Sequence, residues 1–559
     1  MSLLSRFLTG AAFAAALAVA VPAHAIDLPG PAAGQTVAAM AAAAQESRWD
    51  DVSTLAAGLR DPVVADLGTW MRLRGEAPDW PSLFDFLTRN PDWPGTTRMR
   101  RTAEGLIPPN APRDQVLALF APEAPATGTG VLAYARALRA EGRTAEATAE
   151  ARRAWTDLSM TSFEESALLA AFPGVATKDT NWARLDMLLW RGLSGEATRA
   201  AARLGPAEQA LAAARLGLRA KERGVAQLIN AVPASRADDP GLAWERVVWR
   251  ADRGLADGVE ELLLERSISA KSLGRPEVWA DRRRAMARAA QRDGRIDVAY
   301  RLASKHHLTE GSDFADLEWL SGWIALRFMN DPARALTHFK RLEGAVESPI
   351  SLGRAGYWVG RTLEAAGDAK AAKVAYARGA LHQTSFYGQL AAEKLGGAPD
   401  PVLSAAYPIA RMPEREIGPK GVLHAALLLH ASGDRKLSHW FFTHLANGAK
   451  GETEYASLAG LALKIGRPEV AVRTAKIAAG AGAILPAAYH PVTELATMKG
   501  RVPAALAMAI ARQESELNPD AISPAGARGL MQLMPGTAKL VSKQLDIPYG
   551  FARLTDDWR

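Results

Sequence analysis

The chain has 559 residues, 48% hydrophobic and 23% charged, which excludes a collagen-like or wholly disordered protein and suits several domains rather than one core. It contains no cysteine, ruling out a disulfide framework, a zinc-finger array, an iron–sulfur site and cysteine catalysis together. Lys and Arg number 67 against 60 Asp and Glu, a net +7 spread along the chain without the long basic run of a nucleic-acid groove.

Residues 1–25 read as a cleavable signal peptide. Arg6 precedes an apolar run from Ala11 to Val21, and Ala23-His24-Ala25 supplies small residues for a cut after Ala25. The run is shorter than the roughly 20 residues that cross a bilayer. No later stretch reads as a membrane span, so the expected destination is the periplasm.

Residues 26–395 are predicted to be short helices punctuated by Gly, Pro or Asp. Examples are Val131–Ala140 with Ala145–Trp155, Trp182–Trp190 with Gly195–Leu204, Arg283–Gln291 with Ile296–Ser304, and Ala355–Ala366 with Ala369–Gly379. A helical hairpin cannot bury its apolar stripe alone but stacked neighbours can, so the predicted architecture is an all-α superhelical solenoid. Whether it closes into a ring is left open. Trp, at 15, outnumbers Phe and Tyr. Residue type favours wedges between helix pairs over sugar-stacking platforms, for Trp319 and Trp323 as for Trp80 and Trp93. His306-His307 has no ligand spacing to an acidic partner and reads as a polar turn, so no metal is expected.

Five prolines between Gly396 and Gly421 mark a domain edge. Helical hairpins resume over 422–479, and Gly480-Ala481-Gly482 with Pro486 and Pro491 forms a second break. The expected domains are therefore 26–395, 396–488 and 489–559.

In the last of these, Ala504 to Ser515 is a predicted helix after Pro503. The face bearing Leu506, Ala509, Ile510, Gln513 and Leu517 is apolar apart from Gln513, with Glu514 one step round near the helix end. The helix dipole and an apolar surround would both favour a protonated Glu514, the state a general acid needs. By spacing alone a solvated surface Glu is the better reading. A loop around Ser523-Pro524-Ala525-Gly526-Ala527, a short helix Leu530–Met534 and a further helix after Pro535 complete the segment.

The run Ala511-Arg512-Gln513-Glu514-Ser515, Asn518-Pro519, Ser523-Pro524, Gly526-Ala527 and Gly529 to Ala538 resembles the catalytic core of the soluble lytic murein transglycosylases. Thr384 to Ala392 and Ala355-Gly356-Tyr357-Trp358 resemble the end of that family's superhelical domain. The resemblance implies a goose-lysozyme-like catalytic domain after a helical linker domain, peptidoglycan glycan strands as partner and no cofactor. It implies Glu514 as the catalytic residue, protonating the glycosidic oxygen between N-acetylmuramic acid and N-acetylglucosamine. The same carboxylate then takes the proton of the muramoyl C6 hydroxyl, which closes on C1 as a 1,6-anhydro end. No second carboxylate is required, unlike in retaining or inverting glycosidases. Ser523, Gln532 and Met534 correspond to groove-lining positions, and Ser515 to a residue that helps hold the carboxyl. Glu516 departs from the small or neutral residue common there and reads as surface.

In that family the catalytic domain continues for about as long again, with a tyrosine that hydrogen-bonds the catalytic Glu. Residues 489–559 correspond to its N-terminal part only, so a truncated catalytic domain is expected. The alternatives to a transglycosylase are a non-catalytic solenoid binding peptidoglycan or an envelope protein, and lysozyme-like hydrolysis by water.

Overall fold

The computed structural model describes residues 28–75, 78–404, 417–418, 421–498 and 502–555. The signal-peptide reading of residues 1–25, and much of the proline-rich break, lie outside the described residues. The fold is all-α, with isolated β-bridges near Arg528 as the only extended pairing among the described residues. None of the described helices is long and apolar enough to cross a membrane.

The hairpins form as read, with longer first turns. Gly128–Ala140 pairs with Thr144–Asp157, and Pro349–Ala365 with Ala369–Ala380. Capping explains the boundaries. Asp368 accepts from Ala371 N at 2.9 Å, Ser348 caps a helix that opens on Pro349, and Thr127 accepts from Gly130 N at 3.0 Å. Gly356 and Gly379 let the last of these helix pairs touch backbone to backbone, since a Cβ on Gly356 would sit 2.6 Å from Gly379 Cα.

The tryptophans are wedges. Trp70, Trp93, Trp155 and Trp279 are fully buried, while Trp319 stacks on Trp323 at 6.0 Å along one helix. Burial of each such side chain contributes about 2–3 kcal/mol before cavity terms.

One hydrophobic core joins the beginning of the solenoid to the hairpins after the break. It contains Val37, Met40, Leu67 and Trp70 together with Leu427, Phe441, Leu458 and Ala475. Trp70 lies 5.1 Å from Phe441 and 5.6 Å from Trp440, with its indole N–H donating to Pro94 O at 2.8 Å. His424 Nε2 meets Asp61 Oδ2 at 2.9 Å. A Cβ on Gly34 would fall 2.5 Å from Ala431 O, so the helix Pro31–Gln45 seats directly on Val422–Ala431. The helical path therefore closes on itself, the point the sequence left open.

Two local readings are corrected. His306 lies in a loop between helices, as read, but it does have an acidic partner: it is buried and bonds Glu318, twelve residues on, at 2.9 Å. Glu318, with no exposure, also takes His338 Nδ1 at 2.6 Å and Arg341 at 2.7 Å. His306 Nδ1 accepts from Leu308 N–H, so the ring proton sits on Nε2, facing the carboxylate. No His, Asp and Glu grouping suited to a metal occurs among the described residues. Residues Leu530–Met534 are not a helix but a turn that closes on a β-bridge between Arg528 and Leu533. Gly529 at φ 74° and Gln532 at φ 46° take left-handed backbone that a helix cannot continue.

Candidate active site

The helix Ala504–Ser515 carries Glu514 in its last turn. It ends on two left-handed residues, Glu516 at φ 56° and Leu517 at φ 67°. Each such non-glycine residue costs about 1–2 kcal/mol. The geometry persists because Glu516 N bonds Arg512 O at 3.1 Å, Leu517 N bonds Ala511 O at 3.3 Å, and the Leu517 side chain is buried with Val472, Leu495 and Ala511.

The buried side of this helix is not the one its apolar stripe suggested. Leu506 and Ile510 are 51% and 42% exposed, whereas Met508, Ala511, Arg512 and Ser515 face the rest of the molecule. Arg512 makes that side usable. Its Nε donates to Tyr489 O at 2.6 Å and its guanidinium lies 4.1 Å from the Tyr489 ring centre. The Glu514 carboxyl is exposed, as its spacing alone suggested, and makes no hydrogen bond or ion pair among the described residues.

The loop after the helix is held by its own polar side chains. Ser523 Oγ accepts from Ala527 N at 2.9 Å, while Ser523 N donates to Ala527 O at 2.9 Å. Gln532 Nε2 donates to Ala521 O at 3.1 Å and Gly529 O at 3.0 Å, pinning both ends of the loop. Ser515 Oγ lies 2.9 Å from Ala511 O and 2.8 Å from Leu530 O, so its single proton ties the helix end to the loop. Met534, 44% exposed, precedes the helix Pro535–Gln544. A Cβ on Gly529 would collide with Leu554 O, which fixes where the following turn Ala552–Leu554 packs.

Residues 492–556 match the family model described as Transglycosylase SLT domain. This segment is a transglycosylase SLT domain. It is 51% identical over 63 residues to the soluble lytic murein transglycosylase of Escherichia coli (strain K12), which is 11% of this chain and 10% of that protein. A putative soluble lytic murein transglycosylase of Haemophilus influenzae is 51% identical over 65 residues, 12% of this chain and 11% of the relative. The matched stretch thus spans about a tenth of the curated relatives. At the level of fold the likeness is much wider. The structure of an inactive mutant of lytic transglycosylase Slt from Pseudomonas aeruginosa matches 93% of this chain and 84% of its own, at TM-score 0.60 and 20% identity. The 70 kDa soluble lytic transglycosylase of Escherichia coli matches 94% and 84%, at TM-score 0.50 and 20% identity. The closed helical architecture is therefore shared.

The SLT domain docks on the preceding hairpins through charged contacts that sequence reading missed. Glu516, read as surface, bonds Lys476 Nζ at 2.9 Å with Arg473 at 3.5 Å, both from the helix Pro468–Gly480. Arg435 spans Asp520 at 2.6 Å and Glu469 at 2.7 Å. Lys476, Arg473 and Arg435 precede their acidic partners in this segment by 40, 43 and 85 residues, and no local pattern links them.

Proposed function

We propose that the protein is a periplasmic lytic transglycosylase that cleaves the β-1,4 bond between N-acetylmuramic acid and N-acetylglucosamine in peptidoglycan. The SLT domain match across 492–556, with Glu514 at the end of its first helix, carries this reading. The signal-peptide pattern of residues 1–25 supports the location, and the net positive charge suits an anionic wall polymer. Domains of 26–395, 396–488 and 489–559 belong to the same reading.

Glu514 gives its proton to the glycosidic oxygen as the bond from muramoyl C1 breaks. The carboxylate then takes the proton of the C6 hydroxyl while O6 bonds C1, so no water is consumed and Glu514 ends protonated again. Ser515 ties the end of the Glu514 helix to the segment that carries Ser523, Gln532 and Met534, the residues assigned here to the sugar groove. With its amide N–H groups given to loop carbonyls, Gln532 offers its Oε1 to a sugar hydroxyl or acetamide N–H, and Met534 offers an apolar surface to a sugar face. Muropeptide mass spectrometry beside Glu514→Gln tests the reading; a binding-only solenoid would retain peptidoglycan without releasing fragments.

A further inference from the structure

A hollow of about 260 Å³ lies where the beginning of the solenoid seats on the hairpins after the break, along the seam that holds Trp70 and Phe441. Gln45, Trp49 and Arg74 line it from the solenoid, and Asp434 and Leu437 from the hairpins. Its volume falls just below the roughly 300–1,000 Å³ of small-ligand sites, so it suits one ring of a ligand rather than a chain. Arg74 is the unusual member. Its guanidinium lies 4.3 Å from the Trp70 ring centre and 4.6 Å from that of Trp440, so two indoles hold it in place. Exposed and held in this way, it makes no hydrogen bond or ion pair among the described residues. Partial desolvation, and then the like charge of Arg98, push its pKa below the ordinary arginine value. A fixed, unpaired guanidinium beside a second cation is a receptor for a carboxylate, whose two oxygens match its fork.

The other walls specify what carries that carboxylate. Trp49 is half-buried, and its ring closes down on Gly75, where any Cβ would collide with it. Its indole N–H is covered yet has no acceptor among the described residues, and covered donors are ordinarily satisfied. Gln45 is exposed, and Asp434 spends one oxygen on Leu437 N at 2.9 Å, leaving the other for a hydroxyl. An indole beside amide and carboxylate groups suits a pyranose, with its apolar face and its rim of hydroxyls. We infer that this hollow binds an acidic sugar, a pyranose with a free carboxylate, placing the carboxylate on Arg74 and the ring on Trp49. The site does not depend on cleavage at Glu514. It rests on the transglycosylase reading only for one source of the sugar, muramic acid whose lactyl carboxylate bears no peptide.

N-acetylmuramic acid, glucuronic acid and N-acetylglucosamine are titrated calorimetrically into the full chain, with hydrogen exchange mapping the contact. Expected is saturable binding of an acid, with protection at 41–49, 71–75 and 434–437. Either acid supports the site, and the tighter of the two identifies its source. N-acetylglucosamine has the muramic ring without the carboxylate and should bind about tenfold more weakly or worse, the scale of one charge-assisted contact. Arg74→Gln, first matched to the parent by circular dichroism, should lose the acid by a similar factor and keep its affinity for N-acetylglucosamine. If that variant does not fold, the comparison of acid with neutral sugar needs no variant and decides. Binding of neither acid, equal affinity for the neutral sugar, protection confined to 504–534, or parent-like acid affinity in the folded variant overturns the inference. Muropeptide release is scored separately. Acid-sugar binding without strand cleavage would sink the activity and keep the site, and cleavage without acid-sugar binding would do the reverse.

Discussion

Lys476 and Glu516 meet at 2.9 Å and join the last long helix before the SLT domain to the residue that ends the Glu514 helix. Neither residue is conspicuous in the sequence. Together with Arg435–Asp520 the pair sets how the helix end is presented.

Glu516→Lys is expected to repel Lys476 and Arg473 and to destabilise the docked SLT domain by about 1 kcal/mol, the scale of a partly exposed pair. Hydrogen exchange of the 504–515 amides should quicken in Glu516→Lys and in Lys476→Glu, and return toward parent rates when the two are combined. Equal exchange in the single and double variants would show that the pair does not hold the helix.

Gly529→Ala introduces a Cβ against Leu554 O at a backbone φ of 74°. A cost of about 2–3 kcal/mol in the local stability of the loop is expected, from strain plus displacement. Gly526→Ala, also at positive φ but with open space around its Cβ, should cost only about 1 kcal/mol. Exchange rates of the 521–533 amides compare the two. A cost for Gly529→Ala no larger than for Gly526→Ala would contradict the close approach.

Trp70→Ala empties the seam where the path closes. With Phe441 and Trp440 left facing a void and Pro94 O losing its donor, a loss of about 3–5 kcal/mol is expected. Thermal unfolding reads it, and the radius of gyration from X-ray scattering should grow if the seam opens. A variant within about 1 kcal/mol of the parent would place the closure energy elsewhere.

Acid should weaken the solenoid through Glu318. Burial pushes its carboxyl upward, but hydrogen bonds from His306 and His338, with their charge, outweigh this and hold it at about 2 against an ordinary 4.5. The unfolded chain therefore takes up that proton first, and up to about 3 kcal/mol of stability present above pH 4.5 is lost between 4.5 and 2. His306 is shifted the same way in stability terms. Burial, its largest influence, lowers it from 6.5, so the unfolded chain protonates first and a further loss begins below pH 6.5. Urea midpoints at pH 7, 5 and 3 should show the parent's advantage over Glu318→Gln shrinking toward pH 3. A constant gap would contradict the coupling.

Much of the architecture was legible because its signals are local. Ile296–Ser304 begins and ends where its turn residues predict, since Gly294 supplies the positive φ just before it and Lys305 follows. The start of Pro349–Ala365 was also in the sequence, as a Ser-Pro cap, although the apolar period alone began later. Gly128–Ala140 was harder. Its first turn reads Gly-Thr-Gly, poor helix formers that persist because Gly130 lies against Glu104, which bonds Thr127 from another helix.

The candidate site was legible as a motif and not as a geometry. The helix around Glu514 was readable, but which face it buries depends on Arg512 meeting Tyr489 and on Leu517 meeting Val472, contacts no periodicity encodes. Leu530 to Met534 looked helical by composition. Gln532 instead spends its side chain on Ala521 and Gly529 and turns the chain. His306 and Glu318 pair across a loop and a helix turn for the same reason: tertiary packing brings them together.

The most direct test of the activity is mass spectrometry of fragments released from purified peptidoglycan by residues 26–559, run beside Glu514→Gln. Release of 1,6-anhydromuramic products by the parent and none by the folded variant is the expected result. Reducing muramic ends, equal release by both proteins, or strand retention without any release would each contradict transglycosylation by Glu514.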